Sequence, residues 1–200
     1  MIGPAVFIPI AEETGLIVPL SERMMTMAFA QAAAWNSQGH PLMISVNLSA
    51  RQLREPDICQ RIHALASEQG VAPERVQLEI TESVLMEQLE QSERQLLELK
   101  EMGFRVALDD FGTGYSSLAY LKNFPIDSIK IDGSFIRGLT NNARDAAIVR
   151  TIINMSRDLG ISTVAEGVET TDELDMIAAL GCDFYQGYLL ARPIPGEQLA

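Results

Sequence analysis

Cysteine and histidine are scarce in this chain: Cys59 and Cys182 stand far apart with no Cys-x-x-Cys spacing, and His40 and His63 are the two histidines in 200 residues. That scarcity excludes a disulfide framework and a thiolate metal centre, and it leaves both cysteines as buried, reduced packing residues. No apolar run approaches the roughly 20 residues that span a bilayer. Met1-Ile2-Gly3-Pro4 lacks the basic and apolar regions of a signal peptide, so the expected location is cytoplasmic, with no membrane contact from this segment. Basic residues are also outnumbered, 15 Lys and Arg against 27 Asp and Glu, for a formal charge of -12. Such a chain repels nucleic acid polymers and acidic membranes, and a phosphate ligand would need cations to bind it. With 47% hydrophobic residues, positions 1–200 are expected to form a single domain with a sizeable core.

What the chain does have is a rhythm. Gly39, Gly70, Gly103, Gly160 and Gly181 each close a helical pattern and precede a β-rich run. Those runs are Met43 to Leu48, Val76 to Ile80, Arg105 to Leu108, Ser162 to Ala165 and Asp183 to Tyr185, while Ser128 to Ile131 follows Pro125 instead. Ile148, Ile152, Met155 and Leu159 predict one apolar helix face, and Leu85, Leu89, Leu96 and Leu99 another. Thr170 with Glu173 predicts a capping box. Met24, Met25, Met27, Phe29 and Trp35 read as helix packing, and His63 as a packing or surface residue of the Ile58 to Glu68 helix. Strand and helix alternate at roughly 30 residues, the length of a βα unit, which predicts an α/β fold with a largely parallel sheet.

Each predicted strand ends in a polar group. In chain order these are Asn47, Glu79 with Glu82 beyond it, Asp109 and Asp110, Lys130 with Asp132, Glu166 with Glu169, and Gln186. Any one of them has a structural explanation as a helix cap, a turn residue or a solvated strand end, but the whole succession is hard to reach by chance. In a parallel barrel these ends converge on one rim. A strand does not carry neighbouring side chains on one face, so Asp109 and Asp110 are expected where the strand gives way to loop. Oxygen ligands without His or Cys suit Mg²⁺ or Mn²⁺, and paired aspartates can bridge two such ions about 3.5–4 Å apart, a clamp for phosphate ester displacement. Lys130 would then hold the attacking water and Glu166 would accept its proton.

On FIPIAEETGLI (Phe7 to Ile17), SVNLSARQL (Ser45 to Leu53), LEITESVLM (Leu78 to Met86), DDFGTGYSSLAYLK (Asp109 to Lys122), IDSIKIDGSFI (Ile126 to Ile136), VAEGVET (Val164 to Thr170) and YQGYLLARP (Tyr185 to Pro193), the chain resembles the EAL-domain family of bacterial cyclic di-GMP phosphodiesterases over essentially its whole length. The resemblance implies a modified TIM (β/α)8-type barrel that hydrolyses cyclic di-GMP to pGpG with Mg²⁺ or Mn²⁺, two ions in all. It implies that Asn47, Glu79, Asp109 and Asp110 are metal ligands, that Lys130 holds the water, and that Glu166 is the general base or a ligand of the second metal. Gln186 is similar to an amide near the site, and Glu82 to a glutamate that steadies the loop containing Gly112, Thr113 and Gly114. That loop and Phe124 to Asp127 lie near the dimer contact in the family, so a homodimer is implied, and upstream sensor or diguanylate cyclase domains often accompany such a module. The family's Glu-Ala-Leu segment, with a metal-binding glutamate and a substrate-contacting arginine, has no counterpart here. About six strands are visible where a closed barrel needs eight, so about two N-terminal strands are expected to be missing and the metal site of this chain by itself to be weakened.

Two other functions remain open at this point. One keeps the fold without the chemistry, as a noncatalytic cyclic di-GMP-binding or protein-interaction module. The other is a Mg²⁺-dependent proton-abstracting barrel of the enolase kind, which also combines strand-end carboxylates with a lysine.

Overall fold

A computed structural model describes residues 3–87, 89–114, 121–122 and 124–199. Tyr115 to Tyr120 of the DDFGTGYSSLAYLK run lie outside the described residues. The chain divides into two units, one of residues 1–80 and 84–105, the other of residues 81–83 and 106–200.

In the first unit, α1 (Pro4–Thr14) packs on α2 (Ile17–Ser37), and α2 packs on both β1 (Ile44–Asn47) and α4 (Ile58–Gln69), with the short α3 (Ala50–Leu53) between them in the chain. Strand β1 pairs in parallel with β2 (Val76–Thr81), and Asn47 registers with Glu79. Val76 to Ile80 are buried without interruption, the pattern of a strand covered on both faces. Met25, Phe29, Ile58, Ile62 and Leu78 are buried core residues of this unit. Met24 and Met27 project outward, so only part of the methionine cluster packs, because consecutive helix positions cannot all face one core. His63 meets Phe104 edge to face with ring centres 6.4 Å apart, a packing role. The predicted Leu85–Leu99 face is shared by α5 (Glu82–Glu87) and α6 (Leu89–Glu101), with Leu85, Leu96 and Leu99 buried and Leu89 half-buried.

The second unit carries β3 (Arg105–Phe111) from Val106 onward, β4 (Ser128–Ile131), α7 (Gly133–Arg137), α8 (Ala143–Leu159), β5 (Ser162–Ala165), α9 (Thr171–Leu180) and β6 (Phe184–Tyr185). Its strands pair in chain order, β3 with β4, β4 with β5 and β5 with β6, all parallel, the signature of successive βα units. Helix α8 buries Ala146, Val149, Ile152, Ile153 and Ser156, whereas Ile148 and Leu159 are exposed. The buried face is therefore offset from the predicted one. Apolar residues lie on two overlapping helical stripes, and the buried one includes the small Ala146 and Ser156. Helix α9 opens with the predicted capping box, Thr170 accepting from the Glu173 N–H and Glu173 accepting from the Thr170 N–H.

Both cysteines are free thiols. Cys59 is buried as expected, and burial pushes its pKa up to about 12, with Glu98 adding to the effect. Cys182 is only half-buried, because it sits in the turn between α9 and β6 rather than in the core. No helix among the described residues is long and apolar enough to cross a membrane.

Candidate functional site

The aspartate pair lies inside β3, not beyond it as expected from strand alternation. Leu108 registers with Ile129 and Phe111 with Ile131, so β3 carries one more residue than β4 across this interval, a β-bulge. Asp110 takes up the extra residue with φ 54°, the left-handed region that Asp tolerates better than most side chains. The bulge breaks the alternation that would send Asp109 and Asp110 to opposite faces. Asp109 Oδ1 accepts the Asp110 N–H at 3.0 Å, and the Asp110 carbonyl accepts the Thr113 hydroxyl at 2.8 Å, which ties the pair to the turn that follows.

Gly112 has φ 96°, and a Cβ there would come within 3.0 Å of the Phe135 ring, so both conformation and space require glycine. Its N–H donates to Glu82 Oε2 at 3.4 Å, and the Glu82 carboxylate lies 3.4 Å from where a Gly114 Cβ would stand. Glu82 is thus a buried carboxylate set against Gly112 and Gly114.

Lys130, from the buried strand β4, brings its ammonium 3.1 Å from Asp109 Oδ1 and 2.8 Å from Glu166 Oε1. A lysine that is 5% exposed stays charged only with such partners, and each carboxylate in turn is held by the cation. Glu166 stands just past β5, where its N–H donates to the Ile131 carbonyl at 3.1 Å. Carboxylate oxygens of Asp109, Asp110 and Glu166 all lie within 4.8 Å of one another.

Three carboxylates around one ammonium leave an excess of negative charge in a partly desolvated place. Burial raises the Asp110 pKa above the ordinary carboxylate value, Asp109 and Asp132 raise it further, and Lys130 opposes them. Asp132, one of the strand-end groups but without an assigned role, contributes charge here. Its own pKa is lowered, since burial is outweighed by hydrogen bonds from Ser134 and Gly133 at the start of α7 and by the Arg137 charge. A hard divalent cation fits this donor set: oxygens only, close together, with uncompensated charge and one proton held too readily.

Gln186 lies beyond β6, its N–H donating to the Ala165 carbonyl at 2.8 Å and its carbonyl accepting from Val168 at 3.1 Å. With Glu166, Asp132, Arg137, Glu169 and Tyr188 it lines a cleft of about 350 Å³. Gly187 is required for this arrangement, because a Cβ there would fall 2.1 Å from the Val168 carbonyl oxygen. Asn47 and Glu79 belong to the first unit, where they sit side by side across the β1–β2 register, Glu79 buried and Asn47 exposed, with the Leu48 N–H donating to the Glu79 carbonyl at 2.8 Å.

Residues 1–193 match the family model described as EAL domain. The chain is 42% identical over 200 residues to the bifunctional diguanylate cyclase/cyclic di-GMP phosphodiesterase MucR of Pseudomonas aeruginosa, covering 100% of this chain and 29% of that protein. It resembles the solved structure of the PaMucR phosphodiesterase in its cyclic di-GMP complex, with a TM-score of 0.96 and 42% identity over 100% of this chain and 81% of that one. It also resembles Klebsiella pneumoniae BlrP1 in a manganese/cyclic di-GMP complex, with a TM-score of 0.81 and 31% identity over 89% of this chain and 45% of that one. The chain spans about a quarter of the length of the curated relatives it matches first.

Proposed function

The chain belongs to the EAL domain family and has its α/β barrel-type fold, and from that premise we propose that it hydrolyses cyclic di-GMP to the linear dinucleotide pGpG in bacterial second-messenger signalling. The observation that carries this reading is the meeting of Asp109, Asp110 and Glu166 around Lys130 on consecutive parallel strands. A structural role alone calls for matched charges, whereas here carboxylates outnumber the cation.

Asp109 and Asp110, with Asn47 and Glu79, are the residues we assign to holding divalent cations. Mn²⁺ and Mg²⁺ both suit the oxygen donors, and the manganese complex of BlrP1 favours a trial with Mn²⁺ first. When bound, two such ions supply Lewis-acid polarisation of the phosphoryl oxygens and help generate the nucleophile. The remaining steps belong to side chains of the chain. Lys130 donates to the attacking water and fixes its approach, and Glu166, 2.8 Å from the same ammonium, accepts its proton. Glu82 holds Gly112, Thr113 and Gly114 so that the turn after Asp110 keeps its shape, and Gln186 borders the cleft that receives the nucleotide.

The family resemblance also supports a homodimer through the loop after Asp110 and Phe124–Asp127, a cytoplasmic setting, and further sensor or cyclase domains in a longer parent protein. The test is cleavage of cyclic di-GMP by that parent protein with Mn²⁺, followed as pGpG by chromatography, for the wild type and for Glu79→Ala. Cleavage that falls at least about 100-fold in the variant supports the assignment. No cleavage by the wild type, or an unchanged rate in the variant, overturns it.

A further inference from the structure

Bringing Lys130 between Asp109 and Glu166 requires β3, β4 and β5 to hold one register, since a slip of a single residue turns a side chain to the other face. The end of β3 at the site cannot set that register. Its bulge interrupts the pairing between Leu108 and Phe111, leaving Ala107 with Ser128 and Leu108 with Ile129 as the regular partners before it. The other end of the same strands is where an unusual set of bonds lies.

Asp127 immediately precedes β4 and joins all three strands. Its carboxylate Oδ2 accepts the Val106 N–H of β3 at 2.8 Å, and its own N–H donates to the Val106 carbonyl at 2.9 Å. Its carbonyl accepts both the N–H and the hydroxyl of Ser162, the first residue of β5, each at 3.0 Å. The same device recurs one pair of strands later. Asp183 immediately precedes β6, and its Oδ2 accepts the Thr163 N–H of β5 at 2.8 Å and the Thr163 hydroxyl at 2.9 Å. Each aspartate stands three residues ahead of a candidate site residue, Asp127 before Lys130 and Asp183 before Gln186.

We infer that Asp127 is a positioning residue for the phosphodiesterase reaction: its carboxylate clasps β3 to the start of β4, while its carbonyl holds β5, and together they set Lys130 between Asp109 and Glu166. Asp183 is its lesser counterpart, joining only β5 and β6 and exposed to solvent. The chemical part of this inference rests on the proposed function. A carboxylate accepting a backbone N–H is a strong acceptor for its size, and alanine offers none.

The experiment compares Asp127→Ala, Asp127→Asn and Asp183→Ala in the full parent protein by three measurements. These are amide hydrogen exchange, Mn²⁺ affinity by calorimetry, and steady-state cleavage of cyclic di-GMP. Asp127→Ala removes the carboxylate but keeps the carbonyl that Ser162 uses, so it is expected to speed exchange at Val106 by at least about tenfold and to change Ser162 far less. It should weaken Mn²⁺ binding and lower kcat by about 10- to 100-fold with KM changed by less than about threefold, the effect of misplacing a reacting group by about an ångström. Asp127→Asn keeps an acceptor at the same place and should restore most of each loss, and Asp183→Ala should leave kcat within about threefold. If Asp127→Ala does not fold, Asp127→Glu, which moves the carboxylate by one methylene, carries the same expectation. Unchanged exchange at Val106, or a kcat loss that the asparagine fails to restore, overturns the clasp. If the wild type does not cleave cyclic di-GMP while Asp127→Ala still speeds exchange and weakens Mn²⁺ binding, the proposed function fails and the clasp stands.

Discussion

At the starts of β4 and β6, the Asp127 carboxylate accepts the Val106 N–H and the Asp183 carboxylate accepts the Thr163 N–H and hydroxyl, and each bond joins one strand to its neighbour. At the ends of β3 and β5 the same kind of side chain is in surplus: Asp109, Asp110 and Glu166 crowd one ammonium, and Asp132 adds charge from just beyond β4. A carboxylate with fixed donors contributes its charge to register and stability. A carboxylate in excess of its donors leaves charge for a ligand. The two ends of one sheet therefore separate into a structural end and a chemical end, although aspartate dominates both.

The strongest challenge to this division is Asp109→Ala in the parent protein. Cyclic di-GMP hydrolysis should fall by at least about 1,000-fold, measured as pGpG formed with Mn²⁺, while the far-ultraviolet circular dichroism stays that of the wild type. Comparable loss from Asp183→Ala would erase the distinction between the ends. Next in size, Lys130→Met should lower kcat by about 100-fold, because the apolar side chain neither orients water nor relieves Asp109 and Glu166. Steady-state kinetics check it, and retention of wild-type kcat would remove Lys130 from the chemistry.

Cation binding sharpens the comparison through stability. Saturating Mn²⁺ should raise the melting temperature of the wild type by several degrees, a chelator should reverse the rise, and Asp109→Asn should lose most of it. Differential scanning calorimetry measures all three, and an undiminished rise in Asp109→Asn would place the cation elsewhere. The smallest effect concerns Asp110. Its pKa is raised in the fold by burial first and by Asp109 and Asp132 next. The folded chain thus holds this proton more tightly than the unfolded chain does. The stability so contributed is complete below the unfolded value and is lost as pH rises through the folded one. Metal-free Asp110→Asn should accordingly melt on the order of 1–2 °C higher than the wild type at pH 7 and lose this part of the acidic pH dependence. A lower melting temperature would show that the Asp110 carboxylate is structural.

Much of the candidate site was legible because strand ends announce themselves. Lys130 lies within, and Glu166 and Gln186 directly follow, short β-rich runs whose limits in the structure match the predicted ones closely. Asn47 and Glu79 fall at neighbouring register positions for the same reason. The aspartate pair was found but misplaced. A period-two pattern has no symbol for a bulge, so Asp109 and Asp110 looked like loop when β3 continues to Phe111. Helix α8 shows the complementary failure: isoleucines on two overlapping stripes left Ile148 and Leu159 exposed and set Val149 and Ile153 against the core. Asp127 and Asp183 gave no signal beyond that of ordinary turn residues, since what distinguishes them is the neighbouring strand whose N–H they accept.

By itself the sequence determined the alternation of helix and strand, the polar group at each strand end and the oxygen-only donor set, because these follow from local periodicity and from the chemistry of single side chains. Only the tertiary structure decided that Asp110 adopts a left-handed conformation inside a bulge, that Lys130 is shared between Asp109 and Glu166, and that Asp127 ties β3 and β5 to β4. Each of these depends on which residues of separate strands lie opposite one another. Pairing across strands is a property of the assembled sheet and is written in no single segment.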